Sequence, residues 1–262
     1  MIEKNNPFSP EMSGYGVFDG KAFDSVYPDG SPMHTFHQQS HAYFRGLVLG
    51  ENFPCVAGQS VVRSKTYAFC GYENMTSPNV ADGVCHDLMR FKNDFSTPFL
   101  ESFMAAFKGP VIQDQLQGAE FLYTLLHNMS EIDQKNGFPW AENYTSNIHS
   151  PDFAFSIGTE AHFVSFFYPF ASSETRQSDV TMVLFNTHAI FQTLRQRGAF
   201  DKLKMIIRNR IPVLHPNLGD HGDVNEFTQY ALVDSDTKTQ ALDKKIQQKV
   251  FGICPFYHGI IL

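Results

Sequence analysis

The sequence lacks the cysteine pairs, long apolar runs and basic clusters that mark several classes of protein. Its four cysteines, Cys55, Cys70, Cys85 and Cys254, show no CxxC spacing, which argues against a zinc ribbon, an iron–sulfur cluster of the usual spacing and a dense disulfide scaffold. The densest apolar run, FVSFFYPFA at 163–171, is about half as long as a membrane span needs to be. No run of Lys and Arg exceeds two residues and the net charge is −7, so we expect neither a nucleic-acid nor a membrane partner.

The sequence also shows no recognisable targeting segment and contains little tryptophan. The first sixteen residues, MIEKNNPFSPEMSGYG, lack the apolar core of a secretory signal, and a cytoplasmic location is therefore expected. Trp occurs once, whereas Phe occurs 26 times in 262 residues. So many flat apolar side chains are typical of a thick core, and they also suit a pocket for a flat ligand. The negative net charge slightly favours a cationic small molecule as partner.

The hydrophobic patterns predict helices and strands mixed without a regular βαβ rhythm. We therefore expect an α+β fold with a single domain, in which helices flank a mixed or antiparallel sheet. Residues 1–38 are rich in Gly, Pro, Asp and Ser and are predicted to be an extended segment lying over the domain of residues 39–262. Helices are predicted at 40–50, 53–64, 80–92, 114–133, 187–198 and 199–212. Strands are predicted at 65–72, 98–109 and 179–186, with a hairpin about Gly158 within 152–169.

Three histidines are spaced to share one face of a helix. His34, His37 and His41 stand at positions i, i+3 and i+7, an arrangement that could bind a metal ion. Because no carboxylate completes the set nearby, a solvated polar face is the favoured interpretation. A non-haem metal hydrolase built from these histidines and the loop HPNLGDHGD at 215–223 stays open as an alternative. The glycine-rich SGYGVFDG at 13–20 follows no predicted strand and is interpreted as a turn.

Three further residues stand where sites often form. Cys55 follows Pro54 at the start of a predicted helix, where the helix N-terminus lowers a thiol pKa and favours a nucleophile or ligand; the alternative is a small buried residue. His188 follows a predicted buried strand, and sites gather at strand ends; the alternative is a capping or core histidine. Glu160 lies beside the hairpin turn and is alternatively an exposed carboxylate.

Taken in order, several segments resemble the YqcI/YcgG family over roughly residues 40–256. The matching segments are FPC at 53–55, SPDFAFSIGTEAHFV at 150–164, LFNTHAIFQTLRQRGAFDKLKMIIRNR at 184–210 and CPF at 254–256. Between them lie six further matching positions: Leu218, Asp220, Gly222, Glu226, Gln229 and Tyr230. The resemblance implies a haem protein, since characterised members N-hydroxylate guanidino groups of arginine-like amino acids in D-cycloserine and guanitoxin biosynthesis.

The resemblance also implies which side chains hold the cofactor, haem b. Imidazole and thiolate are usual protein ligands of haem iron, so His188 is expected first and Cys55 second. His162 and Tyr168 are further candidates. Tyr168 stands where the family often has the histidine of a GLHP segment, because this chain reads FFYP.

Carboxylates are expected to recognise the planar, cationic guanidinium of the substrate. The candidates are Glu160, Asp220 and Glu226, the last two within the segment HPNLGDHGDVNEFTQY at 215–230. The alternative is that Asp220 and Glu226 cap helices, while Gln229 and Tyr230 brace the loop.

The expected function is that of a haem-dependent monooxygenase that hydroxylates a guanidino or amine nitrogen of an arginine-like small molecule. Its electron donor is left open. The alternatives are a non-catalytic haem-binding sensor or carrier, which the FFYP segment favours, and the non-haem hydrolase.

Overall fold

The computed structural model describes residues 6–95, 100–214 and 226–231, without the side chains of residues 212–214 and 227–228. The strands are β1 (Gly16–Phe18), β2 (Phe23–Ser25), β3 (Tyr67–Asn74), β4 (Ser102–Gly109), β5 (Phe155–Ile157), β6 (Glu160–Phe167) and β7 (Thr181–Thr187). The helices are α1 (Pro32–Leu49), α2 (Val56–Ser64), α3 (Val80–Asp94), α4 (Gln115–Lys135), α5 (His188–Gln196), α6 (Phe200–Leu214) and α7 (Glu226–Ala231).

The seven strands form one mixed sheet in the order β2-β1-β3-β4-β7-β6-β5. β3 and β4 are parallel, with Tyr67 opposite Ser102, and α3 lies between them in the chain. The other neighbouring strands are antiparallel. Six consecutive residues of each central strand are buried, because helices cover both faces of the sheet.

The core forms two layers, one on each face of the sheet. Phe103, Val164 and Phe185 face α3 and α4, and α7 packs on this side against β6 and α4. Met104 and Met182 face α1 and α2 on the other side, where α6 packs against α2 and α5. The expected α+β fold with a mixed sheet and flanking helices is confirmed.

The N-terminal region differs from its prediction. β1 and β2 lie within residues 1–38 and extend the sheet, and α1 begins at Pro32, so the expected boundary at residue 38 falls inside a helix. Ser31 caps α1 by accepting a hydrogen bond from the backbone N–H of His34. The Ser-Pro pair is a common helix start that the composition of the segment obscured.

The glycine-rich segment beside β1 allows a close backbone approach. A Cβ at Gly14 would overlap the carbonyl oxygen of Gly71, and the Gly71 N–H donates to the Gly14 carbonyl at 2.9 Å. The glycines therefore let this segment lie against β3.

Candidate functional site

An apolar cavity of about 330 Å³ lies on the α2 side of the sheet. Strands β4, β6 and β7 form its floor, and α2, α5 and α6 contribute walls. Its apolar lining includes Phe53, Phe163, Phe167, Leu184, Phe191 and Ile207. The volume lies within the range of small-molecule sites, and the aromatic lining suits a flat ligand. We call this space the apolar cavity.

Cys55 lies in the wall of the apolar cavity, at the N-cap of α2. Its sulfur accepts a hydrogen bond from the backbone N–H of Gly58 at 3.3 Å. Burial nevertheless raises the pKa of the thiol, and the opposing effects of Gly58, Ala57 and Arg210 are smaller. The backbone N–H groups at the start of α2 lower the pKa of the thiol, but the loss of hydration outweighs them. A coordinated metal ion would still displace the thiol proton.

A second cavity of about 350 Å³ lies on the α3 side, at the end of the sheet where β6 begins and β7 ends. Lys92 Nζ and Glu160 Oε1 form an ion pair of 2.8 Å in its wall. Glu101 and His162 also line it. We call this space the polar cavity, and it brings two predicted site residues, Glu160 and His162, together.

Glu101 lines both cavities, and sequence reasoning missed it. Burial raises the pKa of its carboxyl to about 7, and the negative charge of Glu160 acts in the same direction. The sequence contained one signal for this residue, because Glu101 stands directly before the apolar run SFMAAF. A carboxylate at the end of a buried strand lies at the edge of the sheet, where sites often form.

His162 is 3% exposed. Burial lowers the pKa of its imidazole to about 3, helped by the positive charges of His188 and Lys92 and opposed by a hydrogen bond with the Ile157 backbone. The ring is therefore neutral at physiological pH. Its Nδ1 atom is buried and has no hydrogen-bond partner within the described part of the chain.

His188 is the first residue of α5, at the predicted strand–helix junction. Its Nε2 lies 3.1 Å from Glu226 Oε2, and the Tyr230 hydroxyl donates to Glu226 Oε1 at 2.6 Å. Among the described residues, neither His188 nor Glu226 belongs to the lining of the two cavities. The contact of the Tyr230 hydroxyl with Glu226 is in line with the bracing role considered for Tyr230.

Tyr168 lies in the core on the α4 side of the sheet. Its ring stacks on Phe166 at 4.5 Å, and a Cβ at Gly118 of α4 would collide with it. Its side chain therefore faces away from the apolar cavity. Asp220 falls outside the described residues, as do Leu218, Gly222 and Cys254.

Two of the three histidines of α1, His37 and His41, belong to the core, whereas His34 is partly exposed and lies 3.2 Å from Asp29. His37 lies 2.8 Å from the Phe69 carbonyl, and His41 lies 2.8 Å from the Tyr67 hydroxyl. Burial lowers the pKa of His37 to about 4 and that of His41 to about 3. The predicted polar face is wrong because the β1–β2 hairpin covers it, with Phe23 stacked on His41 at 3.9 Å.

Within the residues that the structure describes, no group of three or more His, Cys, Asp and Glu side chains is arranged to hold a metal ion. None of the described helices combines the length and hydropathy needed to cross a membrane.

Comparison with known proteins gives one match. Neither the curated proteins nor the solved structures contain a match to this chain. The sequence model of the YqcI/YcgG family matches residues 44–242, which is well over half of the chain and includes every described residue that lines the two cavities. The chain belongs to the YqcI/YcgG family.

Proposed function

We propose that the protein is a haem-dependent N-oxygenase that hydroxylates a guanidino or amine nitrogen of an arginine-like small molecule. The observation that carries the proposal is the Cys55 thiol in the wall of an apolar, aromatic-lined cavity. Family membership is consistent with this reading, and the adjoining polar cavity offers room for a substrate.

The residues of the apolar cavity fit a haem in their chemistry. Phe53, Phe163 and Phe191 supply apolar surface for a porphyrin, and Cys55 supplies an iron ligand. We place Cys55 ahead of His188, because Cys55 lines the apolar cavity, whereas His188 is not among the described residues that line either cavity. When bound, the haem supplies an iron that activates oxygen, and a thiolate ligand favours O–O cleavage.

Residues of the chain exclude water, bind the substrate and position His188. The apolar lining excludes water from the space beside Cys55, which strengthens electrostatic interactions there. Glu101 lines both the polar and the apolar cavity, and its carboxylate is the proposed acceptor for the cation of the substrate. Glu226 and Tyr230 fix the position of His188 through hydrogen bonds.

The two alternatives have less support. The sensor or carrier interpretation depends on the tyrosine of FFYP, but Tyr168 faces α4 and leaves the apolar cavity unchanged. The hydrolase interpretation depends on His34, His37 and His41, of which the last two are buried and hydrogen bonded.

Absorption spectra of the haem-reconstituted protein test the proposal. We expect a Soret band in the wild type that shifts or is lost in Cys55→Ala and persists in His188→Ala, because only the former removes the proposed ligand. Cys70→Ala is the matched control, since Cys70 is a buried cysteine of the α3-side core. Haem-loaded protein with a reductant and O₂, or with peroxide, should convert L-arginine to N-hydroxyarginine.

Three results would contradict parts of this proposal. If the wild-type protein takes up no haem, the proposed cofactor is wrong. A Soret band that responds to His188→Ala and not to Cys55→Ala transfers the ligand role to His188. Haem loading without turnover of any guanidine or amine favours a carrier or sensor.

A further inference from the structure

The floor of the apolar cavity contains a hydrogen-bonded polar pair, Ser102 of β4 and Asn186 of β7. The Ser102 hydroxyl donates to Asn186 Oδ1 at 2.7 Å. Met104 lies opposite Leu184, so Ser102 and Asn186 lie opposite each other two residues further along the antiparallel strands. Because alternate residues of a strand share one face, the pair lies on the face of Met104 and Leu184, which is the face of the apolar cavity.

The bond from Ser102 fixes which end of the Asn186 amide is left for another partner. Oδ1 accepts that bond, and Nδ2 has no hydrogen-bond partner among the described residues. The amide does not cap α5, because Thr187 occupies the N-cap. Nδ2 is not fully buried and Asn186 lines the apolar cavity, so its N–H groups are free to donate to a ligand there.

Asn186 and Cys55 belong to facing walls of the apolar cavity. Cys55 is the N-cap of α2, which covers this face of the sheet, whereas Asn186 lies near the end of β7 in the floor. Phe163, opposite Asn186 on β6, gives the floor an aromatic surface beside the amide. A flat ligand between the two walls therefore has Cys55 on one side and Asn186 on the other.

We infer that Asn186 donates a hydrogen bond to the small ligand that a haem iron in the apolar cavity binds on the side away from Cys55, and that Ser102 orients the amide for this contact. This role of Asn186 rests on the proposed function for its cofactor but not for its substrate. Hydrogen-bond donors beside a haem iron help to decide whether it binds or activates oxygen. A donor that is oriented in advance and shielded from bulk water acts more strongly than one in water.

Infrared spectra of the haem-loaded, ferrous protein with carbon monoxide test the donor. A hydrogen bond to the carbon monoxide oxygen draws electron density onto that atom and weakens the C–O bond. Asn186→Leu should therefore raise the C–O stretching frequency. Ser102→Ala should shift it in the same direction by a smaller amount, because the amide is then free to rotate. Asn79→Leu is the matched control and should leave the frequency unchanged, since Asn79 is exposed and its side chain makes no capping hydrogen bond.

Cyanide titration of the ferric protein gives a second readout. Cyanide is an anion, so its hydrogen bond with Asn186 is charge-assisted, and Asn186→Leu should raise its dissociation constant by about tenfold. The haem content of this variant should stay at the wild-type level, because leucine is close to asparagine in size and Cys55 is unchanged. Where Asn186→Leu takes up too little haem to be measured, Ser102→Ala replaces it and the same two measurements decide.

The outcomes separate the role of Asn186 from the proposed function. Haem uptake with a C–O frequency and a cyanide affinity that Asn186→Leu leaves unchanged overturns the role of Asn186 and leaves the proposed function intact. The expected shifts in a haem-loaded protein that hydroxylates no guanidine or amine support the role of Asn186 and overturn the proposed reaction. A wild type without haem uptake overturns both.

Discussion

Asp133 of α4 is a buried carboxylate that holds the turn of the β5–β6 hairpin. It is 4% exposed, and its Oδ1 accepts a hydrogen bond from the Gly158 N–H at 2.8 Å. Burial raises the pKa of Asp133 to about 6 although this hydrogen bond lowers it. Desolvation outweighs a local hydrogen bond here, as it does at Cys55.

The raised pKa of Asp133 predicts a stability change with pH. The folded state binds the proton more tightly than the unfolded state, whose pKa is 3.8. This group's contribution to the free energy of unfolding therefore falls as pH rises from about 4 to about 6, by about 2 kcal/mol after allowance for residual hydration. Asp133→Asn keeps the acceptor oxygen and should remove this contribution.

Urea denaturation of wild type and Asp133→Asn at about pH 4 and at neutral pH measures the effect. The variant should equal or exceed the wild type in stability at neutral pH. Asp152→Asn, at an exposed position, is the control. A variant that loses stability equally at both pH values would show that the carboxylate's role is steric.

At the scale of elements, the β5–β6 hairpin depends on two consecutive residues with left-handed backbone. Gly158 has φ +57° and Thr159 has φ +68°, a pair typical of the tight two-residue turns that join antiparallel strands. Glycine adopts this conformation freely, whereas a β-branched residue such as threonine is strained there. The turn positions Glu160 and His162, the third and fifth residues counted from Gly158, at the polar cavity.

Relief of that strain is a testable prediction. Thr159→Gly should raise the free energy of unfolding by about 0.5–1 kcal/mol, since the strain exceeds the entropy that glycine adds to the unfolded state. Gly158→Ala should lower the free energy of unfolding, because the new Cβ would lie 2.7 Å from Met89 Cε and the backbone has a positive φ. Thermal unfolding of both variants measures this, and equal destabilisation by both would contradict the strain argument.

At the scale of the whole molecule, Asp87 of α3 joins the N-terminal segment to the sheet. It is fully buried and accepts hydrogen bonds from the Ser13 hydroxyl at 2.6 Å, the Gly14 N–H at 2.7 Å and the Tyr72 hydroxyl at 2.8 Å. Ser13 and Gly14 lie more than seventy residues earlier in the chain. One carboxylate therefore joins three distant parts of the fold.

Loss of this carboxylate should destabilise the whole molecule. Asp87→Ala leaves three buried donors without their acceptor, so the free energy of unfolding should fall by about 3 kcal/mol. Asp201→Ala, at an exposed position of α6, should change it by less than about 0.5 kcal/mol. Chemical denaturation followed by circular dichroism makes the comparison. If Asp87→Ala lowers the free energy of unfolding no more than Asp201→Ala does, water replaces the carboxylate as hydrogen-bond acceptor.

The sequence by itself determined the elements whose apolar pattern is strong and local. It predicted the helix of α4, the hairpin about Gly158 and the stop of α1 at Gly50, because periodicity and glycine act within a few residues. It also indicated Cys55 and the Glu160–His162 hairpin as candidate site residues, through the ordered series of motifs.

Only the tertiary structure decided what surrounds each polar group. It placed Glu101 between two cavities, covered His37 and His41 with the β1–β2 hairpin, and directed Tyr168 away from the apolar cavity. These outcomes depend on contacts between segments that are distant in the chain. Burial removes hydration and thereby sets the pKa of each ionisable group. The burial of a residue cannot be inferred from its neighbours in the sequence.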